Sequence, residues 1–190
     1  MKAQLLPLPR ISRWSGGQTA EIALWPPEGS YQRRDFLWRL SSATVECESS
    51  VFTSLPDYNR IIALLGGELA LDVENAGHIV LRPGEPFRFD GGVRVESRGR
   101  AVDFNLMLRK GRCEGEVRPL HEGEISLERR PGFAHSAHLL YAADPVMARW
   151  DDGGCIVPAG GCLRLSAGQD SRGRFYAEPR GRAMLADIWY

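Results

Sequence analysis

The amino-acid sequence predicts an all-β fold made of many short antiparallel strands, and three observations support this prediction. The 190 residues include 21 glycines and 12 prolines, which interrupt the chain every few residues. Short apolar segments lie between these interruptions, and several alternate with polar residues in the period of two that strands require. No long segment has a clear helical period. This combination is typical of a β-sandwich or a β-barrel.

The N-terminal half contains a series of segments with this pattern. The predicted strands are residues 18–25, 35–46, 60–65, 69–73, 78–81, 87–89, 93–97 and 101–108. Pro26 and Pro27 end the first of them, because proline cannot donate a hydrogen bond to a central ladder. Gly66, Gly67 and Glu68 separate two of the strands and predict a hairpin.

The C-terminal half repeats the pattern over a shorter length. Residues 111–131 are more polar and are predicted to be the seam between the halves, so the domain boundaries are set at 1–115 and 116–190. The predicted strands that follow are residues 134–142, 155–157, 163–166, 175–178 and 183–190, with a hairpin turn at 151–154 and a loop at 168–173. Both halves contain a strand, a Pro-Gly turn and another strand, which indicates two related barrels.

Composition narrows the classes of function. The chain has 24 basic and 24 acidic residues and a formal net charge of +0, so neither nucleic acid nor an anionic membrane is an expected partner. No run approaches the roughly 18 apolar residues of a membrane span, and the first residues do not resemble a signal peptide. The four cysteines have no CxxC spacing and are interpreted as reduced thiols. A cytoplasmic location is therefore expected.

The most informative segment for function is the predicted strand at residues 101–108 with the arginine after it. Its apolar side chains would face the core, while the alternate positions carry polar or flexible groups on the other face. Those alternate positions are Asp103, Asn105, Met107 and Arg109. If they and a similar row on the strand at 35–46, formed by Arg39 and Ser41, face one interior, they form a polar pocket in an apolar shell.

Roles follow from the chemistry of these side chains. Arg39 and Arg109 are expected to bind a carboxylate through paired hydrogen bonds, with Ser41 and Asn105 orienting it. Phe52 and Arg60 lie on either side of the turn at Pro56, where they would cover the mouth of the barrel. Two simpler interpretations remain open: the row is solvated, or Asp103 pairs with an arginine and stabilises the fold.

Several runs of the sequence resemble the HutD/Ves family in order and spacing. They are W-S-G-G-Q-T at 14–19 with Glu21, D-F-L-W-R-L-S-S-A at 35–43, F-T-S-L-P-D-Y-N-R at 52–60, L-L-G-G at 64–67, F-R-F-D-G at 87–91 and D-F-N-L-M at 103–107. Together they cover residues 14 to about 110, and the C-terminal part matches only in general style. The resemblance implies a cupin-like bicupin, with two small antiparallel β-barrels or jelly rolls packed side by side. It also implies an association with histidine utilisation or a stress response.

The histidines do not predict a metal site or another cofactor. A metal-dependent cupin needs a His-x-His pair with a nearby carboxylate. The four histidines, His78, His121, His135 and His138, contain no such pair. His135 and His138 are three residues apart, so on a strand their side chains point to opposite faces.

The sequence is consistent with three functions. The first is a metal-free protein that binds a small anionic metabolite and senses or limits histidine utilisation, with formylglutamate, formimidoylglutamate or urocanate as the ligand. The second is an isomerase or hydrolase acting on a related metabolite, with Asp103 as its general base. The third is a non-catalytic interaction protein, a homodimer formed through an edge strand near residues 183–190.

Overall fold

The computed structural model describes residues 1–166 and 173–190, and in this part of the chain the regular structure consists of β-strands alone. The all-β prediction is therefore confirmed. Within the same residues, no helix has the length and apolar character needed to cross a membrane. The loop predicted at 168–173 lies outside the described residues except for Gly173.

Strands follow one another closely along the chain. They are β1 Lys2–Leu5, β2 Arg10–Trp14, β3 Gly17–Trp25, β4 Trp38–Val45, β5 Ser49–Val51, β6 Tyr58–Gly67, β7 Leu69–Val73, β8 Gly77–Leu81, β9 Phe87–Asp90, β10 Val95–Arg98, β11 Ala101–Arg109, β12 Glu114–Pro119, β13 Gly123–Leu127, β14 Ser136–Ala142, β15 Val146–Trp150, β16 Gly153–Val157, β17 Cys162–Ser166, β18 Gly173–Pro179 and β19 Ala183–Trp189.

These strands form two compact units. The N-terminal unit is Pro9–Cys113, and the C-terminal unit combines Met1–Leu8 with Glu114–Tyr190. The first eight residues thus differ from the expected division, which placed them with the N-terminal half. The reason is that β1 pairs antiparallel with β17, with Lys2 opposite Ser166. This pairing is long-range and leaves no trace in the local sequence.

In the N-terminal unit, two antiparallel sheets share one core. One sheet has the order β2-β3-β4-β11-β6-β9 and the other the order β5-β10-β7-β8. Apolar side chains from both sheets form a single cluster, which includes Ile62, Leu64, Leu71, Val95 and Ala101. The unit is therefore a jelly-roll sandwich of two separate sheets, not a closed barrel.

The C-terminal unit has the same construction. Its sheets have the orders β1-β17-β14-β19-β12 and β13-β18-β15-β16. The core again takes side chains from both sheets, including Leu127, Leu140, Val146, Phe175 and Leu185. Burial of this many aliphatic and aromatic groups is the main source of stability in such a sandwich.

The two units share one strand order. The arrangement β4-β11-β6-β9 recurs as β12-β19-β14-β17, and β5-β10-β7-β8 recurs as β13-β18-β15-β16. In each case the second set of labels is the first set plus eight. Two added strands, β2 and β3, extend the first unit, and β1 extends the second. The weak repeat in the sequence thus corresponds to two equivalent eight-strand motifs.

The polar segment at 111–131 contains two strands where a seam was expected. On β12, Gly115 and Val117 are buried while Glu114, Glu116 and Arg118 are exposed. This alternation is that of a strand with one solvated face. The segment is polar overall because its buried positions include a glycine and carry little apolar area.

The strand predicted to mediate dimer pairing lies inside a sheet. β19 is hydrogen-bonded to β12 on one side and to β14 on the other. All seven of its residues are buried. Its backbone is already paired on both sides, so it offers no free edge to a second chain, and the expected edge-strand interface is wrong at this position.

Candidate functional site

A cavity of about 390 Å³ lies in the N-terminal unit. It is lined from β2, β3, β4, β5, β6 and β11 and by Tyr31 and Gln32, which precede β4. The structure brings seven of the eight predicted site residues to its wall. They are Arg39, Ser41, Phe52, Arg60, Asp103, Asn105 and Met107.

Strand pairing explains why these side chains meet. β11 lies between β4 and β6, and Met107 is opposite Arg39 on one side and Arg60 on the other. Two residues along β11, Asn105 is opposite Ser41. Directly opposed residues on antiparallel strands point to the same face. Residues far apart in the sequence therefore form one continuous polar patch.

Arg39 is held in place by three contacts. Its Nε donates to Oε2 of Glu21 at 2.7 Å, and its Nη1 donates to Oγ of Ser41 at 3.1 Å. Its guanidinium also lies 4.6 Å from the centre of the Tyr31 ring. Glu21 therefore offsets much of the charge of Arg39 before any ligand arrives.

Arg60 differs, because the described residues provide no ion pair for it. It is only 6% exposed, and its Nε has no hydrogen-bond partner among them. The rings of Phe52 and Phe89 lie 4.8 and 5.2 Å from its guanidinium carbon. Burial lowers the pKa of Arg60 to about 10, although the nearby Asp103 opposes the shift. Arg60 is thus a buried cation with a free donor.

Asp103 supplies the negative charge of the cavity. Its Oδ1 accepts a hydrogen bond from the Ala43 backbone N–H at 3.0 Å. Burial raises the pKa of this carboxyl from 3.8 to about 6, against the opposing effects of the Ala43 hydrogen bond, Arg60 and Arg39. A β-bulge between Val102 and Asp103 shifts the register of β11 against β6 at this point. Such bulges redirect side chains, frequently next to functional sites.

Asn105 adds an unmatched acceptor. Its Oδ1 is buried and has no hydrogen-bond partner among the described residues. Buried polar atoms in native proteins are nearly always satisfied, and leaving one unsatisfied costs roughly 1–3 kcal/mol. Arg60 and Asn105 therefore both line the cavity, and each carries one unpartnered polar atom that is buried beneath the cavity surface.

Arg109 lies outside the cavity, contrary to the expectation that it would pair with Arg39. Its Nη1 donates to the Arg34 carbonyl at 3.0 Å and to the Tyr58 hydroxyl at 3.1 Å. Tyr58 is opposite Arg109 on β6, and its ring stacks on Phe36 with centres 4.4 Å apart. Both rings pack in one cluster with Met107, and the Arg109 guanidinium lies 5.6 Å from the centre of the Tyr58 ring. The second arginine of the cavity is therefore Arg60.

Three contributors to the site were not assigned a role from the sequence. Glu21 pairs with Arg39, Tyr31 covers it, and Phe89 lies against Arg60. Glu21 reaches Arg39 because β3 pairs with β4, and local sequence patterns do not reveal that pairing. Tyr31 lies in the connection before β4, where the sequence gives no direction for a side chain.

The equivalent strands of the C-terminal unit carry different chemistry. On β12, β19 and β14, the strands equivalent to β4, β11 and β6, Asp187 lies opposite Glu116 on one side and His138 on the other. His138 is buried, and its Nδ1 lies 2.6 Å from Oδ1 of Asp187. Glu116 forms an ion pair with Arg130. A smaller cavity of about 270 Å³ lies beside Glu116 and Asp187.

The structure shows where potential metal ligands lie. Over residues 1–166 and 173–190, it contains no group of three or more His, Cys, Asp or Glu side chains placed to hold a metal ion. His78 contacts Asp72 and His138 contacts Asp187, in different units.

Comparison with known proteins shows where this fold and sequence recur. The model of the HutD family matches residues 9–184. A conserved protein of unknown function from Pseudomonas aeruginosa is 28% identical, with a TM-score of 0.77, covering 100% of this chain and 98% of the other. HutD from Pseudomonas fluorescens is 24% identical, with a TM-score of 0.76 and 100% of both chains covered.

A more distant similarity supports the fold class. A cupin 2 conserved barrel domain protein from Leptotrichia buccalis has a TM-score of 0.56 at 11% identity, over 94% of this chain and 90% of the other. The predicted cupin-like class is therefore confirmed.

Proposed function

The chain belongs to the HutD family, and we propose that its N-terminal cavity binds a small anionic metabolite of histidine utilisation, so that the protein senses or limits that pathway. The proposal is carried by Arg60, a cation that is 6% exposed, lines the cavity and has no ion pair among the described residues. A buried cation without a bonded counterion is costly. An incoming carboxylate would remove that cost.

The surroundings of Arg60 favour a flat anionic group. Because Phe52 and Phe89 lie close to the guanidinium carbon, we infer that hydrogen bonds are made at the guanidinium edge. The edge presents N–H donors in the fork geometry that matches a carboxylate. Arg39 stands on the other side of Met107 and adds positive potential, although Glu21 already offsets part of it.

Asn105 indicates a second part of the ligand. Its amide lines the cavity and would form a hydrogen bond with a polar group placed near the anionic group. Formylglutamate, formimidoylglutamate and urocanate each combine carboxylate with a nitrogen function, and a cavity of about 390 Å³ is large enough for molecules of this size. These three compounds are therefore the first to test.

The test is a thermal-shift screen of the full chain with each compound. A ligand present at 100 times its dissociation constant adds roughly 2.7 kcal/mol to the free energy of unfolding, which raises the melting temperature by several degrees. Unchanged melting curves with all three compounds, at millimolar concentration, would count against the proposal.

A pair of variants separates binding in the cavity from binding elsewhere. Arg60→Met keeps a long side chain but removes the charge, so the ligand-induced shift is expected to disappear. Arg98→Met is the matched control, because Arg98 is exposed on β10 and does not line the cavity. An equal shift in both variants would place the ligand at another site.

Catalysis is a second candidate, and the position of Asp103 is the observation that favours it. A carboxyl group with a pKa of about 6 inside a cavity is suited to general acid–base chemistry near neutral pH. Turnover of a pathway metabolite, followed by NMR and abolished in Asp103→Asn while binding persists, would establish an enzyme. Binding without turnover of any of the three compounds would leave the sensing role.

A further inference from the structure

We propose that an anion enters the N-terminal cavity together with one proton, which Asp103 accepts. The inference rests on the proposed binding function and adds a form of regulation to it. Occupancy of the cavity would then depend on pH as well as on metabolite concentration.

The geometry places two negative charges in one small space once a carboxylate is bound. Asp103, Arg39 and Arg60 all line the same cavity. In the described part of the chain, neither arginine forms an ion pair with Asp103, since Arg39 is paired with Glu21. A carboxylate bound at Arg60 would therefore share the positive charge of that guanidinium with Asp103, and the two carboxylates would repel each other. Protonation of Asp103 removes the repulsion.

Hydrogen bonding decides which oxygen takes the proton. Oδ1 of Asp103 already accepts from the Ala43 N–H. Oδ2 is the oxygen left to form the O–H bond, with the proton coming from solvent. The neutral carboxyl can then donate to the ligand carboxylate, which converts a repulsive pair into a hydrogen bond.

The charged groups around Asp103 come from three neighbouring strands. On β4 and β6 the charged neighbours are Arg39 and Arg60, and β3 contributes Glu21, which is bonded to Arg39. Tyr31 lies over Arg39. No histidine lines the cavity within the described residues. Asp103 is therefore the group whose protonation binding can change.

The direction of the pH effect follows from linkage. Burial already raises the pKa of Asp103 to about 6 in the free protein, and a bound anion raises it further. Below pH 6 the free protein already carries the proton, so affinity is at its maximum and constant. Above pH 6 affinity falls by at most tenfold for each pH unit, until the pH exceeds the pKa of Asp103 in the complex.

The experiment is isothermal titration calorimetry of the full chain with N-formyl-L-glutamate at pH 6.0, 6.75 and 7.5. Each titration is repeated in two buffers with different ionisation enthalpies, which gives the number of protons taken up. We expect affinity about tenfold higher at pH 6.0 than at pH 7.5. Proton uptake should approach one per ligand near the middle of the range.

Two variants identify the group that takes up the proton. Asp103→Asn should bind with an affinity that does not depend on pH and without proton uptake. Asp72→Asn is the control: it removes an exposed carboxylate that pairs with His78, so the pH dependence should be retained. Proton uptake is measured on the native chain, so the test does not require Asp103→Asn to fold.

The outcomes separate the two proposals. Binding with pH-independent affinity and no proton uptake overturns the proton-linked mechanism but leaves the binding function intact. Absence of binding at every pH overturns both. Proton uptake that persists unchanged in Asp103→Asn also overturns the assignment to Asp103.

Discussion

The two units of this chain share one strand order but carry different polar groups on their equivalent strands. In the N-terminal unit, Arg39 and Arg60 flank Met107, and Asp103 lines the cavity without a bonded cation. In the C-terminal unit, Asp187 contacts His138 directly and lies within ion-pair distance of Arg118. In both units these polar groups lie on the same three strands of the shared order, and the identity of the side chains determines whether those groups bond to one another or remain available to a ligand.

The largest effect on the free energy of unfolding is expected when Asp187, the buried acid of the C-terminal unit, is removed. Asp187→Ala leaves Nδ1 of His138 without its partner, and Nε2 of the same ring already has no partner among the described residues. We expect a loss of about 3 kcal/mol in the free energy of unfolding, measured by urea denaturation. Ligand affinity at the N-terminal cavity should be unchanged. Glu124→Gln, which breaks an exposed ion pair with Arg174, is the control and should cost under about 0.5 kcal/mol.

Replacement of Asp103, the buried acid of the N-terminal unit, should instead increase the free energy of unfolding. Asp103 has a folded-state pKa of about 6, above its ordinary 3.8, so the native state holds the proton more tightly than the unfolded state. The cost of ionising it is fully present above pH 6 and disappears as pH falls toward 4. Asp103→Asn removes that cost and should gain about 2 kcal/mol at pH 7 and almost nothing at pH 4.

Urea denaturation at pH 4, 5, 6 and 7 measures this difference. A destabilised variant at pH 7, or a gain that does not change with pH, would contradict the assignment of a costly buried carboxylate to Asp103.

A smaller effect is expected at the aromatic wall of the cavity. Phe52→Leu removes one of the two rings beside Arg60 but keeps an apolar group there. The ring helps to hold the Arg60 guanidinium in place through a contact worth about 1 kcal/mol, and loss of that positioning should lower ligand affinity by up to roughly fivefold. Phe87→Leu is the matched control, because Phe87 stacks on Phe89 but does not line the cavity. Equal effects of the two substitutions would indicate a general loosening of the core.

The smallest effect on binding is expected for Arg109. Arg109→Gln should alter ligand affinity by less than about twofold, because the guanidinium is bonded to Arg34 and Tyr58 beyond the cavity wall. Stability should fall by about 1 kcal/mol as those hydrogen bonds weaken. A tenfold loss of affinity would show that Arg109 reaches the ligand after all.

The sequence was sufficient to predict the faces of the strands, since alternation placed Asp103, Asn105 and Met107 on one face of their strand and Arg39 and Ser41 on one face of theirs. It could not predict how far the cavity extends along a row. Arg109 has the same parity as Asn105 but lies outside the cavity, against the Tyr58 ring. The length of the cavity along β11 depends on how residues from other parts of the chain pack against that strand.

The missed features have related causes. β12 and β13 escaped notice because one face of each is solvated and few apolar residues mark the other. Glu21 was overlooked because its role depends on β3 lying beside β4, a pairing between residues separated by a proline-rich turn. Local sequence patterns indicate the alternation along a strand, but they do not indicate which strand pairs with it.

The placement of β1 has a practical consequence for anyone who wishes to divide this protein. Residues 114–190 expressed alone would leave β17 with an uncovered edge, since β1 normally supplies four backbone partners there. Open edges of this kind promote aggregation. A soluble C-terminal half should therefore be made as a circular permutant, with residues 1–8 joined through a linker after residue 190, or rescued by adding a synthetic peptide of that sequence.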